Sequence, residues 1–121
     1  MGIRMIKISA VYFAIGMILG YYMSIVHQYA LTPVHVHINL LGWTSLTLAG
    51  LLYHLFPDIS RNMLTKIHVW LHNIGLPIMM IGLTLTLVMN TQTFIPIVAA
   101  GATLVAIGVL VFVYNVVKNL K

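Results

Sequence analysis

Apolar side chains run almost unbroken through four stretches of the chain, residues 8–26, 34–56, 67–89 and 94–117, which are 19, 23, 23 and 24 residues long. As α-helices rising about 1.5 Å per residue, each would cover the roughly 30 Å hydrocarbon core of a bilayer. The intervening residues 28–33, 57–66 and 90–93 hold the Pro, Asp, Asn, Ser and Thr that end helices and form turns. Connections this short place consecutive helices antiparallel. A helix also pairs its own backbone polar groups at depth, which an open strand cannot do. The pattern predicts an all-α membrane protein, a single four-helix transmembrane domain over residues 1–121 with no internal repeat.

Composition agrees with that reading. Hydrophobic residues make up 61% of the chain, charged residues 6%, and the mean hydropathy is +1.05. A soluble domain carries about 25% charged residues because its surface faces water, so this surface must face something apolar. All six basic residues fall on one side of the predicted spans: Arg4 and Lys7 before the first, Arg61 and Lys66 between the second and third, Lys118 and Lys121 after the fourth. Short basic loops stay in the cytoplasm, which predicts both termini inside, in a bacterial-type inner or plasma membrane. The net charge of +5 is thus topological rather than a nucleic-acid patch. A charged start, an apolar run and Ala30 share features with a cleaved leader, but the run is long and His27, Gln28 and Tyr29 precede Ala30. The expectation is that the first span is retained.

There is no cysteine, so no disulfide or thiolate metal site can form, and metals must rest on imidazole, Met or oxygen. A single acid, Asp58, supplies no carboxylate pair, and no Ser or Thr is spaced for a triad. Chemistry therefore falls to six histidines, His27, His35, His37, His54, His68 and His72, because ionisable groups at membrane depth usually face a partner, a cavity or a cofactor. His35 and His37 open the second span. Two positions apart on a helix is about 200° of rotation, so the two imidazoles point to opposite flanks. They can serve two centres, or they can be interfacial histidines meeting water and backbone carbonyls. On the His35 side follow Asn39, Gly42, Leu46, Ala49 and Tyr53, where small Gly42 and Ala49 leave room for a flat macrocycle or for close helix packing. His54, His68 and His72 form a second group toward the cytoplasmic ends, with His68 and His72 on one face and Asp58 a turn beyond His54. Copper or another metal ion is one reading of that group; hydrogen bonding to the connection over residues 57–66 is the other. The Met residues, including Met79 and Met80, and the aromatic Tyr21, Tyr22, Trp43 and Trp70 fit ordinary packing and interfacial roles.

The run His35-Val36-His37-Ile38-Asn39-Leu40-Leu41-Gly42-Trp43, continuing to Leu52-Tyr53-His54-Leu55-Phe56-Pro57, resembles the second helix of small proteins related to subunit I of the haem–copper oxidases, in the cbb3-type oxidase and nitric oxide reductase branches. Ile67-His68-Val69-Trp70-Leu71-His72-Asn73-Ile74-Gly75-Leu76-Pro77 is similar to that group as well. Subunit I there has twelve helices in three quasi-equivalent groups of four, and this chain has the length of one group. The resemblance implies a homotrimer that rebuilds the ring. It also implies haem b between His35 of one chain and His37 of its neighbour, with Gly42 beside the macrocycle. A bis-histidine iron is six-coordinate and suits electron transfer, or sensing of redox state or gases. Without Cys-x-x-Cys-His the haem would be held non-covalently. The large oxidases add a three-histidine copper site and basic side chains near the haem propionates. This sequence has no Lys or Arg on the predicted outer side, where His27, Gln28 and Trp43 are the polar candidates, and that argues against oxygen reduction. Two other readings stay open, a non-catalytic accessory or assembly module, and an intramolecular di-haem conduit across the membrane. Neither the electron donor nor the acceptor is legible.

Overall fold

The computed structural model describes residues 1–121, and every regular element in it is helical. In chain order these are α1 (Gly2–Val26), α2 (Thr32–His37), a π-helical segment (Ile38–Thr44), α3 (Ser45–Leu55), the single turn α4 (Pro57–Ser60), α5 (Met63–Met89) and α6 (Ile95–Asn119). Three of them, α1, α5 and α6, are long and apolar enough to cross a membrane. Between α1 and α5 the backbone stays helical without a break from residue 32 to 55, changing only its hydrogen-bond spacing at the π segment.

The helices overrun the apolar stretches. α1 starts at Gly2 and carries Arg4 and Lys7 within it, and α5 starts at Met63 and takes in Lys66. Hydropathy marks where the bilayer would end, whereas a helix continues until its hydrogen-bond ladder is interrupted. Pro in the first turn opens α2, α4 and α6, where its missing N–H is no loss. Asn62 caps α5, its Oδ1 accepting the Thr65 N–H at 3.1 Å. α1 and α5 end on His27 and Asn90 in the left-handed conformation, φ 54° and 49°. His27 is thus an exposed helix cap.

α1 packs along residues 32–55, and α5 packs along α6. The second pairing is close because glycines face each other: a methyl group on Gly101 would come within 2.7 Å of the Gly75 carbonyl oxygen, and one on Gly75 within 2.8 Å of Gly101's. The two pairs join through Val34, Ile38, Leu76, Met79, Met80 and Val105 at one level, and at the other through Val69 of α5 and Phe112 and Val116 of α6 packed against Met5, Leu46, Ala49, Tyr53 and Ile59. Large apolar side chains point away from this core, with Ile18, Leu110 and Val117 exposed by 69%, 68% and 79%. Such faces have no place in water and suit lipid.

One end of the bundle gathers Gly2 against Gly50 and His54, and Asn115 against Ile59 and Asn62. There the fully buried Asn115 amide donates to the Ile59 carbonyl and to Thr65 Oγ1, and its Oδ1 accepts from Asn62 and Asn119. All six basic side chains are exposed, and these contacts bring them to that same end.

The π segment changes which residues share a face. Tyr53 is 18 residues past His35, about five complete turns of α-helix, and so belongs on the His35 face by spacing alone. A π insertion takes up an extra residue and turns everything beyond it by about 100°. Tyr53 accordingly faces His68 of α5 and Phe112 of α6, not the side where His35 lies. Gly42 stays on the α1-facing side with His35: it is buried against the Tyr12 ring of α1, one turn along from Gly16 against Asn39 and two from Gly20 against His35, so the room its missing side chain makes is taken up by Tyr12.

Candidate functional site

His35 sits in a groove of about 580 Å³ between α1 and the α2–π column, lined by Phe13, Met17, Gly20, Tyr21, Asn39 and Trp43. That volume lies within the roughly 300–1,000 Å³ of small-molecule and cofactor sites. The walls are flat and mostly apolar, with the Phe13 and Trp43 rings 4.6 Å apart and inclined by 32°. Two glycines one turn apart on α1 make the room: Gly16 faces the Asn39 amide, and Gly20 faces the His35 ring, where a Cβ would come 2.7 Å from Cε1. The Asn39 amide nitrogen is 3.4 Å from both ring nitrogens of His35. Contacts that long leave both ring nitrogens free to bind elsewhere.

His37 stands about 200° around the helix from His35, half-buried, and is anchored by its own backbone. Its Nδ1–H donates to the Pro33 carbonyl at 2.6 Å. A carbonyl only accepts, so the proton is on Nδ1 and the Nε2 lone pair is free. Metal-ligating histidines are commonly oriented in this way, one nitrogen hydrogen-bonded and the other on the metal. One chain thus carries one half-open imidazole in a groove and one anchored imidazole on the other flank.

The residues available fit a haem in kind. A flat apolar groove, an imidazole within it, Trp43 on its wall and a second orientated imidazole elsewhere on the chain are the parts a non-covalent bis-histidine site needs. A Gly20→Val chain tests this groove directly: the added methyls would occupy the space of the His35 ring, so any haem uptake that the natural chain shows should be lost while the helical circular-dichroism spectrum is kept.

The second predicted group does not assemble. His54 is exposed and lies against the start of α1, while His68 and His72 are each 1% exposed and bonded to one another. No cluster of three His, Cys, Asp or Glu side chains with metal-holding geometry is present. Nor do His68 and His72 bond to the connection over residues 57–66. They form a chain of hydrogen bonds between α5 and the column of residues 32–55: Tyr53 Oη to His68 Nδ1 at 2.6 Å, His68 Nε2 to His72 Nδ1 at 3.3 Å, and His72 Nε2 to the Leu41 carbonyl at 2.9 Å. Because the last acceptor is a carbonyl, every proton position follows. His72 donates from Nε2, so its Nδ1 accepts from His68 Nε2–H, and His68 Nδ1 in turn accepts the Tyr53 hydroxyl. All four ring nitrogens are used, and the chain acts as a polar staple between the two helix pairs.

Sequence reasoning passed over Gly16 and Gly20, and it placed Tyr53 on the His35 side rather than against α5. The two glycines form a Gly-x-x-x-Gly pair in an apolar helix, a pattern that marks close helix approach; it was the available signal. No comparable signal existed for Tyr53. No protein-family model matches the chain, and neither a curated protein nor a solved structure matches it.

Proposed function

We propose that this chain is a four-span membrane protein that binds haem b at the interfaces of a homotrimer, for electron transfer or for sensing redox state or gases. Residues 32–55 supply the additional span, and the basic end faces the cytoplasm. The observation that carries the reading is the pairing of two differently prepared imidazoles on opposite flanks, His35 in a glycine-relieved groove and His37 with Nδ1 anchored and Nε2 free. Neither flank offers two facing ligands within one chain, but a ring of copies sets the His35 groove of each against the His37 flank of the next, a heterologous contact that closes with threefold symmetry.

When bound, the haem would supply a reversible one-electron couple. The chain's own residues do the rest. His37 is held by Pro33 so that its lone pair is fixed before assembly, which lowers the ordering cost of binding. Phe13 and Trp43, with their rings 4.6 Å apart, form an aromatic wall of the groove. His35 and His37 would together hold the haem, so gas binding would require one of the two imidazoles to leave.

The absorbance spectrum of the purified protein, before and after reconstitution with haem b, tests the reading. A Soret band with sharp low-spin bands in the reduced form is the expected result. Protein that shows no Soret band and takes up no haem would overturn it. A non-catalytic membrane module is the second reading, favoured by the exposed His27 and His54 and by the wholly internal bonding of His68 and His72.

A further inference from the structure

The π segment lies between the His35 groove and the staple, and one hydrogen bond links the two. Within the segment the ladder steps by five residues, ending with the Ser45 N–H on the Leu40 carbonyl. From α3 onward it steps by four. A change of step leaves one carbonyl between the two registers without a backbone donor, and after Leu40 that carbonyl is Leu41's. It is the carbonyl that receives the His72 Nε2–H from α5, at 2.9 Å. Ser45 Oγ donates to Leu40 O at 2.7 Å and further supports the widened turn.

We propose that His72 is a positioning residue for His35: by occupying the Leu41 carbonyl it holds the π register, and the π register sets the rotation that turns His35 into its groove. What is positioned rests on the haem reading above; how the register is held does not. Were the carbonyl released, the ladder could regain its four-residue step from end to end. Residues 32–37 would then turn by about 100° relative to α3, taking His35 off Gly20 and lifting Val34, now 3% exposed, off Leu76 and Met79.

The natural chain has no cysteine, so Val34→Cys provides a single thiol whose alkylation rate in detergent reports the rotation with or without haem. We expect slow labelling in V34C alone, labelling at least about tenfold faster when His72→Phe is added, the factor expected when a buried carbonyl loses its donor, and slow labelling again with His72→Gln, whose amide can still donate. With His68→Phe, which leaves the His72 to Leu41 bond in place, labelling should stay slow. Haem titrations should run in parallel: low-spin six-coordinate binding retained in His72→Gln and lost in His72→Phe. Slow labelling in His72→Phe, or equally fast labelling in His72→Gln or His68→Phe, overturns the proposal. If His72→Phe does not fold, His72→Gln decides alone, slow labelling supporting the assignment and fast labelling overturning it. Should the natural chain bind no haem, the haem reading fails, and the labelling rates still decide whether His72 sets the register.

Discussion

Chains carrying His35→Ala or His37→Ala are each expected to lose the low-spin six-coordinate haem signal entirely, because every interface of a symmetric trimer draws one ligand from each position. His35→Ala empties the groove of its imidazole, and His37→Ala removes the nitrogen that Pro33 keeps orientated. The remaining ligand gives a five-coordinate, high-spin haem or none. Mixing the two variants is more informative. An interface is intact when its groove comes from a His37→Ala chain and its facing flank from a His35→Ala chain, so random assembly at equal amounts should restore about one quarter of the sites. The intensity of the reduced low-spin band against total haem measures this. If either variant keeps a six-coordinate low-spin haem, or if mixed trimers form and restore nothing, ligation between chains is wrong. A haem-loaded monomer by native mass spectrometry would transfer both ligands to one chain and revive the intramolecular conduit.

Removing the middle of the staple should give the largest loss of stability from any single side chain in the bundle. His68→Ala leaves a cavity beside Phe112, whose ring centroid is 4.9 Å from the imidazole, and it leaves the Tyr53 hydroxyl and His72 Nδ1 without partners. Hydrogen bonds between membrane helices are modest because the unfolded chain in the bilayer finds other partners, about 0.6 kcal/mol on average. The cavity and the orphaned buried groups dominate, and together they should cost roughly 2–4 kcal/mol. His68→Leu, which refills the volume, should cost about half of that, by the same reasoning. Tyr53→Phe in the His68→Ala background should cost nothing further, since the hydroxyl has already lost its acceptor. Reversible unfolding in mixed detergent micelles, followed by circular dichroism, reads all three. Additive losses for Tyr53→Phe and His68→Ala would show that the two do not act together.

Much of this architecture is legible in the sequence, and its gaps have a common physical origin. The four apolar stretches locate the helices because lipid-facing and core-facing positions are both apolar, and the short polar connections give their direction. The opposite flanks of His35 and His37 follow from helical rotation alone, since both precede the π segment. Past the π segment the same reasoning fails. A uniform 3.6-residue period puts Gly42 and Tyr53 on the His35 side; Gly42 does face α1 as His35 does, but the widened turn carries Tyr53 round to α5. No local residue announces that turn, because its displaced carbonyl is satisfied by His72, 31 positions away. The four-residue spacing of His68 and His72 correctly places them on one face; it could not show that the partner of that face would be Tyr53 rather than a metal or the connection beyond it.

The staple also bears on the ability of the membrane to hold an electrochemical gradient. Tyr53, His68, His72 and Leu41 reach along about 18 Å of helix axis at 1.5 Å per residue, more than half of a hydrocarbon core about 30 Å thick. A row of imidazoles in that position resembles a pathway for hopping protons. Conduction, however, requires each link to pass a proton on and then turn back to receive another, and the bond to the Leu41 carbonyl cannot reverse, because that oxygen has no proton to give. The row is polarised in one sense and ends on an amide. With residues 32–55 as the proposed span, that line would give protons no through-path, although two imidazoles are buried along it.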